Sequence, residues 1–255
     1  MPLRTLPFLV VLVSLMFVAP VARAQAPPPP DLQRVTQILD DLFRSSASIA
    51  RMEISIVTPR QTRNMRMRVW TRGDARALIV IESPSRERGT ATLRRERNLW
   101  NYLPRISRTI RVPPSMMLSS WMGSDLTNDD LTQSSDYDAD FVGSIVGRSE
   151  SPSGWLIRYE AREGVVGLWR RVEFVINDAA TLPLEARYYD RRMRLARTWR
   201  FDDVREMDGR RIPTRMVIVP HDREGHRTEM RYLEMDFDAN VTEGMFSLTE
   251  LERRR

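Results

Sequence analysis

The chain holds two histidines, both in the run His221-Asp222-Arg223-Glu224-Gly225-His226. With Asp222 and Glu224 they bring four side chains of metal-ligating type into a short stretch. A zinc pair on a helix repeats at i, i+4, and this run follows neither that spacing nor another ligand pattern. It reads as a polar hairpin turn. A second acidic cluster lies in Trp121-Met122-Gly123-Ser124-Asp125-Leu126-Thr127-Asn128-Asp129-Asp130-Leu131. Asp125, Asp129 and Asp130 offer paired carboxylates, but the alternating aspartates of a calcium loop are missing. Ser124 stands beside Asp125, but no histidine adjoins them in this stretch to suggest a triad, and no G-x-S-x-G elbow is present. Thr127 and Asp130 have the spacing of a capping box, with Thr127 as the cap. Gly123 is placed to turn the chain sharply.

No cysteine occurs, so thiol catalysis, disulfides and thiolate metal sites are excluded. A cysteine-linked lipid anchor is excluded with them. No glycine-rich phosphate loop appears. The expectation is a non-catalytic protein with no metal and no cofactor. What remains is apolar: Met65, Met67, Met116, Met117, Met122 and Met230, besides six Trp and six Tyr. Methionine is unbranched and polarizable and suits surfaces that adapt to varied ligands. Taken singly, each of these residues reads first as an ordinary core residue; as a set they suggest a lipid-accommodating cavity.

The elements that would position them begin after residue 30. Arg4 precedes an apolar run from Leu6 to Val18, too short for a comfortable membrane span. Ala22-Arg23-Ala24 supplies the small residues of a cleavage site. Residues 1–24 therefore read as a signal peptide cleaved after Ala24, and 25–30 as a Pro-rich linker. The net charge is +6 and every basic residue is arginine. Arginine alternates with Glu and Asp along the whole chain instead of clustering, which points to a solvated β surface and away from nucleic acid. Contact with anionic headgroups or an acidic partner is the alternative.

Residues 31–46 carry apolar side chains at three- and four-residue steps, the period of a helix, with Asp31 as its cap. The period then becomes two. Strands are expected at 52–58, 63–72 and 77–83, with three more up to Pro113-Pro114, where the prolines stop the sheet. In 63–72, Met65, Met67 and Val69 face one way and Arg66, Arg68 and Trp70 the other. A helical or irregular insert spans 115–134. About seven strands follow, with turns at Asp208-Gly209 and at 222–225, and a short helix over 243–253 closes the chain. The fold class is mainly β with α (α+β), without a β-α-β rhythm. A long antiparallel sheet curls, which predicts an open half-barrel with helices covering its concave face. Residues 31–255 form one domain in this reading.

The stretch from Trp100-Asn101-Tyr102-Leu103-Pro104 through Pro113-Pro114 to Trp121-Met122-Gly123-Ser124-Asp125 and Asp129-Asp130-Leu131 resembles the bacterial outer membrane lipoprotein-sorting protein family, relatives of the LolA/LolB periplasmic carriers. Leu182-Pro183, Tyr188-Tyr189-Asp190, Ile212-Pro213-Thr214 and Phe246-Ser247-Leu248 add weaker matches in the same order. The resemblance implies a half-barrel whose cavity binds acyl chains of lipoproteins or lipids for transfer toward the outer membrane. Its candidate lining is Met65, Met67, Val69, Trp100, Tyr102, Met116, Met117, Leu118, Trp121, Met122, Tyr159, Phe174 and Met230. Gly123, Ser124, Asp125, Thr127 and Asp130 form the loop that fixes Trp121 and Met122 as a lid; the alternative is that Trp121 is only a core plug of the half-barrel. The lid-holding arginine of the LolA carriers matches no particular arginine here. Expected partners are acyl chains, an inner-membrane transporter, an outer-membrane acceptor and a transiently contacted membrane surface. The competing reading is an adaptor subunit that docks on such a transporter through its arginine-rich faces and carries no cargo. An exported hydrolase is a third.

Overall fold

The computed structural model describes residues 28–131, 137–165 and 168–253. The segment read as a signal peptide lies outside them. Helix α1 (Leu32–Asp41) starts at Asp31, whose Oδ1 accepts a bond from the Gln33 N–H at 2.9 Å. It ends five residues before the expected boundary, because the strand period already starts at Ala47. Six strands follow: β1 (Ala47–Val57), β2 (Thr62–Arg72), β3 (Arg76–Ser83), β4 (Ala91–Arg95), β5 (Asn98–Leu103) and β6 (Arg108–Arg111). Among the described residues the insert holds 3-10 turns at Pro114–Met116 and Asp129–Leu131, and a one-turn helix α2 (Tyr137–Asp140) precedes the next strand.

Seven more strands are β7 (Phe141–Glu150), β8 (Ser153–Ala161), β9 (Trp169–Ile176), β10 (Pro183–Asp190), β11 (Leu195–Met207), β12 (Arg210–Pro220) and β13 (Arg227–Asp236). Helix α3 (Leu248–Arg253) ends the described chain after a 3-10 turn at Glu243–Phe246. Asp208 and Gly209 make the predicted hairpin turn, with φ of 47° and 74°. Two successive left-handed residues match the twist of the flanking strands.

All thirteen strands belong to one antiparallel sheet, ordered β6-β5-β4-β3-β2-β1-β13-β12-β11-β10-β9-β8-β7. The sheet is not closed: β6 and β7 are its free edges, and β1 pairs with β13 at its middle. Consecutive strands are neighbours throughout, as short connections require. The exception is the link from β6 to β7, which must travel between opposite edges. That link is the insert, and the topology forces it across a face of the sheet.

Side-chain alternation gives the first half of the sheet two buried faces. On one, Ala50, Met52, Ile54, Met65, Met67 and Ile81 pack with Trp121 and Leu126 of the insert. On the other, Trp70, Leu78, Leu93 and Tyr102 pack with Val241, Phe246 and Leu251 of the C-terminal tail. Trp70 thus faces away from Met65 and Met67, as its position in an alternating strand dictates, but it lies under the tail and not in solvent. A third cluster joins α1 to the other half of the sheet. Val35 packs among Tyr137, Tyr159, Val172 and Phe174. Thr36 Oγ1 lies 2.9 Å from the Tyr159 hydroxyl. Gly143 leaves room for this approach, since a Cβ there would lie 3.0 Å from the Tyr159 ring.

Elsewhere the outward strand positions carry arginine–carboxylate pairs across strands. Arg66 meets Glu53 at 2.6 Å, and Arg215 meets Asp202 at 2.7 Å and Glu229 at 2.8 Å. This is the solvated β surface that alternating charge predicts.

Candidate functional site

The insert owes its shape to a tight loop. Met122 and Gly123 are both left-handed, with φ of 51° and 75°, so the chain reverses immediately after Trp121. Ser124 holds the reversal: its Oγ donates to the Trp121 carbonyl at 2.7 Å and accepts from the Leu126 N–H at 3.2 Å. Trp121 is thereby driven into the sheet. It is 3% exposed, and its Nε1–H donates to Thr92 Oγ1 at 3.1 Å. A buried indole needs such a partner.

Asp125 is buried as well. Its carboxylate accepts from Thr228 Oγ1 at 2.7 Å and from Arg223 at 2.8 Å, and its N–H donates to Thr228 Oγ1 at 2.9 Å. Thr127 and Asp130 form the reciprocal bonds of a capping box. The Thr127 N–H donates to Asp130 Oδ2 at 2.8 Å, and the Asp130 N–H donates to Thr127 Oγ1 at 3.1 Å. What they start is a 3-10 turn, Asp129–Leu131.

Asp130 has a second partner. Arg197 of β11 donates to both its oxygens, at 2.7 and 2.6 Å. The guanidinium also lies 4.4 Å from the ring centre of Trp169, 4.7 Å from Tyr188 and 5.4 Å from Trp199. Burial opposes the charge on Arg197, but the bonds and field of Asp130 outweigh it and hold the group above its ordinary range. Burial, then the neighbouring charge of Asp130, pushes the Asp129 carboxyl up. Two further arginines reach the insert: Arg63 donates to the Met122 carbonyl, and Arg94 to the Leu131 carbonyl at 3.2 Å. The insert is therefore tied down by arginines from β2, β4, β11 and the β12–β13 turn.

Beneath it lies an open cavity of about 430 Å3. Trp121, Leu126 and Leu131 of the insert form one wall, and Leu39, Leu42 and Phe43 at the end of α1 another. Met52, Met67, Met216 and Met230 line the sheet side, and Phe174, Trp199 and Phe201 extend the lining toward the α1 cluster. Phe43 stacks on Tyr232, another wall residue, with ring centres 5.3 Å apart. Burial pushes the Tyr232 phenol up to about 12. The polar members of the wall include Asp40, Arg44, Asp74 and Arg94.

Of the residues expected in a cavity, Met67, Val69, Trp121, Phe174 and Met230 line this one. Met65 is buried in the same cluster, and Met122 packs against it. Tyr159 belongs to the α1 cluster, bonded to Thr36. Four placements need correction. Trp100 and Tyr102 lie on the opposite face, under the C-terminal tail, because β5 pairs Trp100 with Leu93 and Tyr102 with Ala91. Met116 and Leu118 stand exposed, since the turn at Pro114–Met116 carries them away from the sheet. Met117 is half-buried. The two histidines share no site: His221 Nε2 lies 2.8 Å from Thr198 Oγ1, and it is Arg223 of the same turn that reaches the insert. Among the described residues no group of His, Cys, Asp or Glu is arranged to hold a metal ion.

Sequence reasoning missed Phe43, Trp199, Phe201, Met216 and Tyr232 as wall residues. Their alternation placed them in strands or on the helix stripe but could not say which face the insert would cover. It also missed Arg197, one arginine among many with no local signal.

The fold of an open antiparallel sheet is shared with solved structures of low sequence identity. The structure matches a LolA superfamily protein from Nitrosomonas europaea at a TM-score of 0.72 and 20% identity, covering 87% of this chain and 100% of that one. An outer membrane lipoprotein-sorting protein domain from Vibrio parahaemolyticus matches at 0.73 and 19%, covering 87% and 98%. A DUF1329 family protein from Desulfovibrio piger matches at 0.76 and 22%, covering 86% and 98%. By sequence, a family model described as "Uncharacterized protein" matches residues 73–253, and the chain belongs to that family. No curated protein matches it.

Proposed function

We propose that this protein is a non-catalytic periplasmic carrier that holds acyl chains of lipoproteins or lipids in the cavity under its insert. In this reading residues 1–24 direct export, and residues 31–255 form one half-barrel whose concave face is covered by α1 and the insert. The observation that carries the reading is the cavity itself: about 430 Å3, walled by Leu, Ile, Met and aromatic side chains. Its size falls in the range of small-molecule sites. Each methylene withdrawn from water is worth ~0.8 kcal/mol, so a soluble carrier needs such walls and no directional chemistry. The methionines adapt to chains of different shape. No helix among the described residues is long and apolar enough to cross a membrane.

Lipid extraction and native mass spectrometry of the purified protein test the proposal. Co-purifying lipid, together with binding of a fluorescent fatty-acid probe that weakens in Met230→Ala and Phe43→Ala, is the expected result. A protein that carries no lipid and ignores the probe is not a carrier, and the cargo-free adaptor reading then takes its place.

A further inference from the structure

Four of the ten large apolar side chains exposed among the described residues fall between positions 106 and 118. They are Ile106, Ile110, Met116 and Leu118, with Ile106 and Leu118 each 57% exposed. Ile106 ends the 3-10 turn Pro104–Ile106, Ile110 lies in the free edge strand β6, and Met116 ends the next turn. These residues lie in or flank the edge strand β6, and this stretch forms a border of the sheet. Ile110 is paired with Asn101. Asn101 accepts a bond from Thr92, and Thr92 accepts from Trp121. Ile110 therefore faces the side on which the insert lies.

The same border carries arginines, with the Glu252 carboxylate accepting from Thr109 Oγ1 of β6 at 3.0 Å. Arg105 and Arg108 are exposed, and neither forms a salt bridge among the described residues, whereas Arg66 and Arg215 are paired with carboxylates. A short edge strand with arginines and flanking prolines guards against pairing with another sheet. That accounts for Arg105, Arg108 and Pro113-Pro114. It does not account for four exposed apolar side chains, which work against the same end.

We propose that this border docks the protein on a bilayer containing anionic phospholipid. Ile106, Ile110, Met116 and Leu118 enter the interface, while Arg105 and Arg108 meet headgroup phosphates. Apolar side chains flanked by cations of one sign are the composition that such a surface attracts. The proposal deepens the carrier reading, since a carrier must visit membranes, but it concerns a surface separate from the cavity.

Sedimentation with phosphatidylcholine vesicles, made with and without phosphatidylglycerol, tests it on protein purified after secretion. The protein is expected to bind the anionic vesicles and to leave them as salt rises. Arg105→Gln and Arg108→Gln should each weaken that binding about fivefold. Ile106→Ser and Leu118→Ser should weaken it further, with unchanged circular dichroism because both positions are exposed. Variants that bind like the parent overturn the proposal, as does a parent indifferent to phosphatidylglycerol. A dimer that Leu118→Ser dissociates, with no vesicle binding, makes the border a contact between copies and overturns it too. Fatty-acid probe affinity should be the same in all four variants. Loss of probe binding everywhere, with vesicle binding intact, removes the cargo and leaves the docking border standing.

Discussion

On one face of β1–β5, Trp70, Leu78, Leu93 and Tyr102 meet Phe246 and Leu251 of the C-terminal tail, and both tail residues are all but inaccessible. On the opposite face, Met52, Met67 and Ile79 meet Trp121 and Leu126 of the insert, and a cavity of about 430 Å3 remains. The strands contribute apolar side chains of similar size to both. What differs is the covering segment. The tail lays compact apolar turns directly on the strands. The insert has to cross from one edge of the sheet to the other, and much of its length is spent on polar fixings: Ser124, Asp125, Thr127 and Asp130 bond to the loop itself or to the sheet. A cover held at its polar points roofs a space without filling it.

The sharpest way to break this comparison is to cut a fixing. Asp130→Ala leaves the Arg197 charge buried and unpaired, which should cost about 3–5 kcal/mol in urea unfolding. Adding Arg197→Met should recover part of that loss, because the stranded charge is then gone. A small loss in the single variant would mean the insert does not depend on its polar ties. Phe246→Ala, on the filled face, should also cost about 3–5 kcal/mol and leave fatty-acid probe affinity unchanged. Met67→Ala, on the hollow face, should fall near the lower end of the Met→Ala range, about 2 kcal/mol, and should weaken the probe. Equal costs for equivalent truncations on the two faces would remove the distinction between filled and hollow.

Tyrosine titration gives a smaller, pH-dependent test. Burial raises Tyr159, beside α1, and Tyr232, in the cavity wall, to about 12 each. The unfolded chain releases these protons near pH 10 and the folded chain holds them. Folded protein then binds more protons than unfolded, so stability falls as pH rises from 10 to 12. Tyr159→Phe should flatten that fall by up to about 1.4 kcal/mol per pH unit. Smallest of all, Arg66→Gln removes an exposed pair and should change stability by less than about 0.5 kcal/mol.

Much of the architecture was legible before folding is considered. Alternation located the strands on either side of the insert, Asp31 marked the start of α1, Asp208-Gly209 marked a hairpin, and Pro113-Pro114 ended the sheet. The cavity was legible only in part. Met67, Val69, Trp121, Phe174 and Met230 were found because they are large, apolar and in strands or the insert. Trp100 and Tyr102 satisfied the same criteria and lie on the other face. Alternation says that Tyr102 and Leu103 point oppositely, but not which of them looks toward the insert.

The sequence by itself determined the element types, their order, the turn positions and the mixed charge of the outer surface, because these follow from neighbours a few residues apart. Only the tertiary structure decided which strand face the tail would fill and which the insert would roof. It also selected Arg197 and Arg223 from among forty arginines to hold that roof. Such choices depend on pairings between residues 67 and 98 positions apart. No local pattern encodes them, since an arginine in an alternating strand looks the same whether a carboxylate or water awaits it.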